Sequence, residues 1–256
     1  MRSRLALAMA AVAALSTAAL GGCELLKSNE QRWEETIAQD TPEGEAFRTF
    51  KAKFPADYER VKAEILAAAE SNATEAQLAE RGALAVQEFS VRNVEHTANG
   101  PAADLHRLAE LNRDVIVSLQ AANQEQCARF GLSGLRPGEQ VDEKTQALIN
   151  RAFRIQIEAT AAGKANPVRR GEITSADAQK LAQQMRSAGV PERILELLGG
   201  AINTAPQADQ CTAGVAIYRG MASLPPEDSA KWIATIMRDM ARAQAATPPA
   251  APPAGG

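Results

Sequence analysis

Two histidines, His96 and His106, are the only imidazole groups in the chain, and imidazole is the usual side chain for metal binding and for proton transfer near neutral pH. They stand on either side of a helix-breaking Asn-Gly-Pro at 99–101, so two helices folding back there would bring them close to Glu95. A metal site needs a cluster of such ligands at suitable spacing. Because histidines beside a turn are ordinarily surface residues, we predict no metal site and no cofactor.

One glutamate could serve as a catalytic acid. Glu70-Ser71 ends a predicted helix and is followed by Gly82-Ala83 and by Gln87, an order similar to that of lytic transglycosylases. The resemblance implies that Glu70 protonates a glycosidic oxygen. The chain departs from the family because a second glycine is missing, the spacing to Gln87 is one residue short, and no aromatic-rich stretch follows. We therefore favour a solvent-exposed Glu70 without a catalytic role.

The N-terminus has the layout of a secretory signal, in which two arginines precede an uncharged apolar stretch over 5–20. That stretch is shorter than the roughly 18–20 residues that span a bilayer. It ends in Leu20-Gly21-Gly22-Cys23, which resembles the lipobox of bacterial lipoproteins. The resemblance implies cleavage before Cys23, a diacylglycerol on its sulfur, and a mature protein held on the membrane by lipid. The alternative is ordinary signal cleavage that leaves Cys23 free.

Charge restricts the partners of the mature chain. Residues 1–22 hold two arginines and no acid, so their removal changes the net charge from −3 to −5. A mildly acidic protein lacks the basic surface that nucleic acid requires. The loop with Lys164, Arg169 and Arg170 is predicted to be a solvated basic loop. We expect anchoring outside the cytoplasm, on the periplasmic face of the outer or inner membrane, and Glu24 weakly favours the outer one.

The other two cysteines, Cys127 and Cys211, form an even pair once Cys23 carries lipid. In an exported protein such a pair is typical of one disulfide, because the compartment is oxidising. Each cysteine lies on the apolar face of a predicted helix. The alternative to the bond is therefore a pair of buried free thiols.

Prolines and glycines divide the rest of the chain into segments with helical spacing of apolar residues, and nowhere into alternating strands. We predict an all-α fold, a single bundle of about seven to nine helices. The predicted organisation is a signal peptide over 1–22, a lipidated tether over 23–42, a helical domain over 43–245 and a disordered Pro/Ala tail over 246–256.

Three segments are predicted in more detail. Thr74-x-x-Gln77 is a capping-box pattern that should open a helix. One helix is expected over about 102–130. Another over about 140–162 has two apolar faces, which indicates a central position.

These features favour a non-catalytic, lipid-anchored cell-envelope protein whose helical domain binds another envelope protein or supports an assembly. The first alternative is a helical carrier of a small apolar ligand, with Trp232, Met237 and Met240 lining a groove. Such residues are more often core. A glycan-cleaving enzyme that uses Glu70 is the less favoured alternative, and the sequence contains neither a nucleophile elbow nor a phosphate-binding glycine loop.

Overall fold

The computed structural model describes residues 28–71 and 73–245, with side chains up to residue 243. Within these ranges the chain forms twelve α-helices, a 3-10 turn at Ile202–Thr204 and no β-strand, which confirms the all-α prediction. The helices outnumber the seven to nine predicted because four of them contain only five to ten residues. Their bounds are α1 Asn29–Ala38, α2 Pro42–Lys53, α3 Pro55–Glu70, α4 Glu75–Arg92, α5 Val94–Ala98, α6 Ala102–Ala122, α7 Gln124–Leu132, α8 Glu143–Ala165, α9 Ser175–Ser187, α10 Glu192–Leu198, α11 Gln207–Ser223 and α12 Pro226–Ala245.

Side-chain caps define where many of these helices begin. Ser28, Thr74 and Thr174 each close a capping box, in which the residue at the third helical position bonds back to the cap. Thr74 is the cap that its sequence pattern predicts. Asp142 caps α8 through its bond from the Thr145 backbone nitrogen, at 2.9 Å. These bonds satisfy backbone donors that a helix start would otherwise leave unpaired.

The helix predicted over 102–130 is two helices, α6 and α7, that meet at Asn123. The backbone of Asn123 is extended, with φ −153° and ψ 107°. Its side-chain oxygen accepts bonds from the nitrogens of Glu125 and Gln126, at 3.0 and 3.1 Å. Because asparagine is among the best N-cap residues, the cap offsets the helical bonds lost at the break.

Most of the aromatic side chains gather in one place, between α1, α2, α3, α4 and α8. Phe50 lies at the centre and is fully buried. Its ring centroid is 4.8 Å from that of Phe89 and 5.7 Å from that of Phe153, in edge-to-face contacts. Such pairs contribute about 0.5–1.5 kcal/mol each beyond their buried area. The other members of the cluster are Trp33, Phe47, Phe54 and Tyr58.

Helix α1 belongs to the packed body, although it lies in the segment expected to be a tether. Trp33 and Ile37 are each 5% exposed and form part of the main apolar core. The Trp33 Nε1–H donates to the Tyr58 hydroxyl oxygen at 2.8 Å. The packed structure therefore begins by Asn29 instead of residue 43.

Helix α8 occupies the centre, as its two apolar faces indicate. It packs against α2, α5 and α6. Thr145 near its start donates to the Ser118 hydroxyl of α6 at 2.8 Å, and the Thr160 hydroxyl lies 2.7 Å from that of Thr97 in α5. Gly163 near its end lies against the α5 backbone, because a Cβ there would meet the His96 carbonyl oxygen of α5 and would stand 2.8 Å from the nitrogen of Gly100, just after α5.

The remaining contacts place α1 and α10 at opposite ends of a series of packed helices. α1 packs on α2 and α3, α2 on α8, and α8 on α6. α6 then packs on α11 and α12, and α11 packs on α7, α9 and α10. One core of buried apolar residues runs from α1 to α12, and a smaller one, formed by Ile194, Ile202 and Ala213, lies beneath α10.

Candidate functional site

The predicted lipidation site Cys23, the signal peptide and the C-terminal tail lie outside the described residues. The described chain starts at Ser28, which is exposed and caps α1. Around it is an open depression of about 440 Å³, lined by Ser28, Asn29, Glu30, Leu66 and Glu70. The point at which the chain enters the folded body therefore lies on the surface where α3 ends.

Glu70 is exposed at the last position of α3, beside this depression. A catalytic acid for glycoside cleavage needs a site that raises its pKa and a second group positioned across the sugar. The neighbouring carboxylate, Glu30, forms an ion pair with Lys62 at 3.0 Å. The described lining contains no aromatic side chain on which a sugar ring could stack. The surroundings of Glu70 are those of a solvated surface acid.

The two histidines are on separate helices, and neither is part of a ligand cluster. His96 is exposed on α5, whereas His106 is half-buried on α6 with an Nδ1 that has no hydrogen-bond partner. Glu95, the third ligand considered, is bound instead to the Arg238 guanidinium at 3.0 Å. No group of three histidine, cysteine or carboxylate side chains positioned to hold a metal ion occurs in the part of the chain that the structure describes.

Cys127 and Cys211 are both buried, and their sulfur atoms lie at disulfide-bonding distance, 1.99 Å. The pair joins α7 to α11, whose backbones also approach each other at Gly131 and Gly214. A Cβ on Gly214 would lie 2.9 Å from the Gly131 Cα, so the two helices are closer here than larger residues would permit. This arrangement secures the contact between the two helices and leaves no accessible thiol at these positions.

The apolar face of α12 is part of the core. Met237 and Met240 are 8% and 5% exposed, and Trp232 is half-buried against the same core cluster. The carrier alternative would need these three side chains to line an open groove. They pack against the protein's own helices instead.

The basic loop after α8 includes one arginine that the sequence gives no reason to bury. Lys164, which was predicted to lie in this loop, is exposed in the last turn of α8 instead. Arg169 is exposed, but Arg170 is half-buried and its Nη1 donates to the Ala98 carbonyl oxygen at 3.1 Å. Burial lowers the pKa of Arg170 from its ordinary range. The bond to the last turn of α5 attaches the loop to the bundle.

Two half-buried carboxyl groups with raised pKa values were not identified from the sequence. Glu43, in the first turn of α2, is half-buried, and burial raises its pKa from 4.5 to about 7. Burial and the nearby charge of Glu158 raise the pKa of Asp104, in the first turn of α6. First-turn acids are typical of solvated helix starts, so the local sequence contains no sign of their burial. Neither lies in a cluster of potential metal ligands among the described residues.

No helix in the described ranges has the length and apolar character needed to cross a membrane. No family model matches the chain, and no match was found among curated proteins or solved structures.

Proposed function

We propose that this protein is a lipid-anchored cell-envelope protein whose helical domain acts without catalysis, by binding another envelope protein or supporting an assembly. The observation that carries the proposal is Leu20-Gly21-Gly22-Cys23 at the end of a charged-then-apolar N-terminus. Two or three acyl chains anchor a protein stably, so no membrane-spanning helix is needed.

The Cys127–Cys211 pair supports the same location. A disulfide persists in oxidising compartments and is rare in the cytosol of most bacteria. The acidic mature chain supports an anchor made of lipid alone, because a surface without a basic patch gains little from anionic headgroups.

The candidate chemical groups support a binding or scaffold role. Glu70 is a surface acid, Glu95 is paired with Arg238, and the α12 methionines are core residues. None of these groups shares a site with another in the described part of the chain. The feature that could recognise a partner is therefore a rigid surface formed by packed helices.

Lipidation is tested by mass spectrometry of the mature N-terminal peptide from the native host. We expect a diacylglycerol on Cys23 and recovery in the membrane fraction, and Cys23→Ala should abolish both. Cys127→Ala with Cys211→Ala is the control, which should lose the disulfide and keep the lipid. A mature N-terminus without lipid would refute the anchor.

The binding role is tested by affinity capture of the full-length lipidated protein from lightly crosslinked, detergent-solubilised membranes. One reproducible envelope partner, lost when exposed residues of its contact face are changed, is the expected result. Co-purifying small molecules in a native mass spectrum would favour the carrier alternative. Peptidoglycan cleavage that Glu70→Gln abolishes would favour the enzyme.

A further inference from the structure

The proposed lipid and the folded body are separated by very little chain. Five residue steps lead from Cys23 to Ser28, and Ser28 already caps α1. A fully extended chain covers at most about 3.6 Å per residue, so these steps reach no further than about 18 Å. This limit holds for any conformation of the connecting residues.

Helix α1 is held firmly to the body, so the tether cannot lengthen by releasing it at low cost. The Lys62 ammonium of α3 binds the carboxylates of Glu30 and Glu34, at 3.0 and 2.9 Å. Trp33 and Ile37 are buried in the main core. Releasing α1 would expose both of these large apolar side chains to water, which is unfavourable.

The contacts of α1 define one pole of the molecule. Its start lies beside the end of the antiparallel α3, so Ser28, Glu30, Leu66 and Glu70 share one surface. We call this surface the α1 pole. Helix α10 packs on α11, at the other end of the series of packed helices.

We propose that, in the lipidated protein, the α1 pole faces the membrane and α10 faces away from it. The inference rests on the proposed lipid anchor. A compact domain of this size has a radius of gyration of about 17 Å and is roughly 45 Å across. Bringing the opposite surface to the membrane would require a tether that passes around the domain. For a sphere about 45 Å across, half the circumference is roughly 70 Å. A reach of about 18 Å cannot do this.

The chemistry of the α1 pole indicates that the tether, and not adhesion, sets this orientation. Two of its four residues, Glu30 and Glu70, are acidic and exposed, and Leu66 is half-buried. Carboxylates gain nothing from anionic headgroups, and a surface without large exposed apolar side chains does not insert. The pole therefore lies close to the lipid without entering it.

The orientation can be tested with the full-length lipidated protein in vesicles that contain nickel-chelating headgroups, which quench a nearby fluorophore. The dye is attached through p-azidophenylalanine at position 70 or at position 196. Glu70 and Glu196 are a matched pair, because both are exposed helical glutamates. Glu70 belongs to the α1 pole, and Glu196 is in α10, at the other end of the series of packed helices. We expect quenching several-fold stronger at position 70. A third protein, with twenty Gly/Ser residues inserted between Lys27 and Ser28, should show nearly equal quenching at both positions.

Equal quenching in the protein without the insertion, or stronger quenching at position 196, would overturn the orientation while leaving the lipid anchor intact. Mass spectrometry of the same samples reports lipidation independently. An unlipidated Cys23 would overturn the proposed anchor, and the orientation with it.

Discussion

At the scale of single residues, Glu43 is an exception to the rule that an ionised acid at a helix start is stabilised. A carboxylate in the first turn is ordinarily stabilised by the positive end of the helix. Glu43 is half-buried, and no hydrogen bond to its carboxylate is found among the described residues, so burial dominates and raises its pKa to about 7. The folded protein therefore binds a proton at Glu43 more tightly than the unfolded chain does.

This difference makes stability depend on pH. The stability that Glu43 contributes to the folded state is fully present below pH 4.5 and is lost as pH rises through about 7. The reason is that the pKa of Glu43 is higher in the folded protein than in the unfolded chain. At 1.36 kcal/mol per pKa unit, the loss is on the order of 3 kcal/mol. We expect Glu43→Gln to raise the free energy of urea unfolding at pH 8 and to leave it nearly unchanged at pH 4.5. Glu75→Gln, at an exposed first-turn acid of α4, is the control, and parallel pH curves for wild type and Glu43→Gln would contradict the prediction.

Trp33 shows why burial of single residues could not be predicted here. Its neighbours in the sequence are polar, which is typical of a tether. The partner that accounts for its burial, Tyr58, is 25 positions away and on another helix. Local composition contains no trace of such a contact.

At the scale of helices, the close approach of α8 and α5 depends on Gly163. In the interior of a helix alanine is ordinarily more favourable than glycine, by about 1 kcal/mol. Here a Cβ would meet the His96 carbonyl oxygen and stand 2.9 Å from the Asn99 carbonyl carbon. Backbone atoms cannot move aside as the tip of a side chain can.

Gly163→Ala should therefore destabilise the protein, by about 1–3 kcal/mol net, because overpacking outweighs the gain in helix propensity. The measurement is chemical unfolding at fixed pH. Gly220→Ala, in α11, is the matched control, since the atoms nearest its Cβ would belong to side chains and not to backbone, the Leu181 Cδ1 at 2.8 Å and the Met185 Cγ at 3.1 Å. A Gly163→Ala protein as stable as Gly220→Ala would show that α5 can shift freely.

Helix starts were partly predictable. The Thr74 capping box was identified because its two residues, Thr74 and Gln77, are three positions apart and bond to each other. The break at Asn123 was missed because the apolar spacing continues across it into α7 and the capping bonds are formed by an asparagine side chain that also fits within a helix. A capping pattern predicts a helix start where the surrounding residues do not also fit a continuous helix. Where they do, tertiary packing decides whether the helix is broken.

At the scale of the whole molecule, Cys127 and Cys211 are 84 positions apart in the sequence, and their bond connects α7 to α11. Closing a loop of that length restricts the unfolded chain and stabilises the folded state by about 4–5 kcal/mol in the chain-entropy account.

Replacing both cysteines by alanine should lower the free energy of unfolding by about this amount of 4–5 kcal/mol. The measurement is urea unfolding of wild type and variant, with and without a reductant that acts on the unfolded chain. Wild type under reduction should approach the variant, and the variant itself should not respond. Identical unfolding midpoints for oxidised wild type and the variant would contradict the prediction.

The all-α class was predictable because it depends on helical spacing, which every segment carries by itself. The order in which the helices pack was not, because it is decided by side chains from remote segments, such as Phe50 against Phe153. The same distinction between local pattern and remote packing applies to the candidate functional residues. The patterns at Glu70 and at the histidines could be weighed from the local sequence, whereas the burial of Glu43 depends on the completed fold.

The position of α1 also has a mechanical consequence. If the chain is pulled from its N-terminal end, the load passes first through α1, which is held by Trp33, Ile37 and the ion pairs of Lys62. The Cys127–Cys211 bond lies far beyond that point and shortens the covalent path of any extended chain by 84 residues, roughly 290 Å. Tension would thus detach the first helices from the rest of the protein. The segment between the two cysteines would not bear the force.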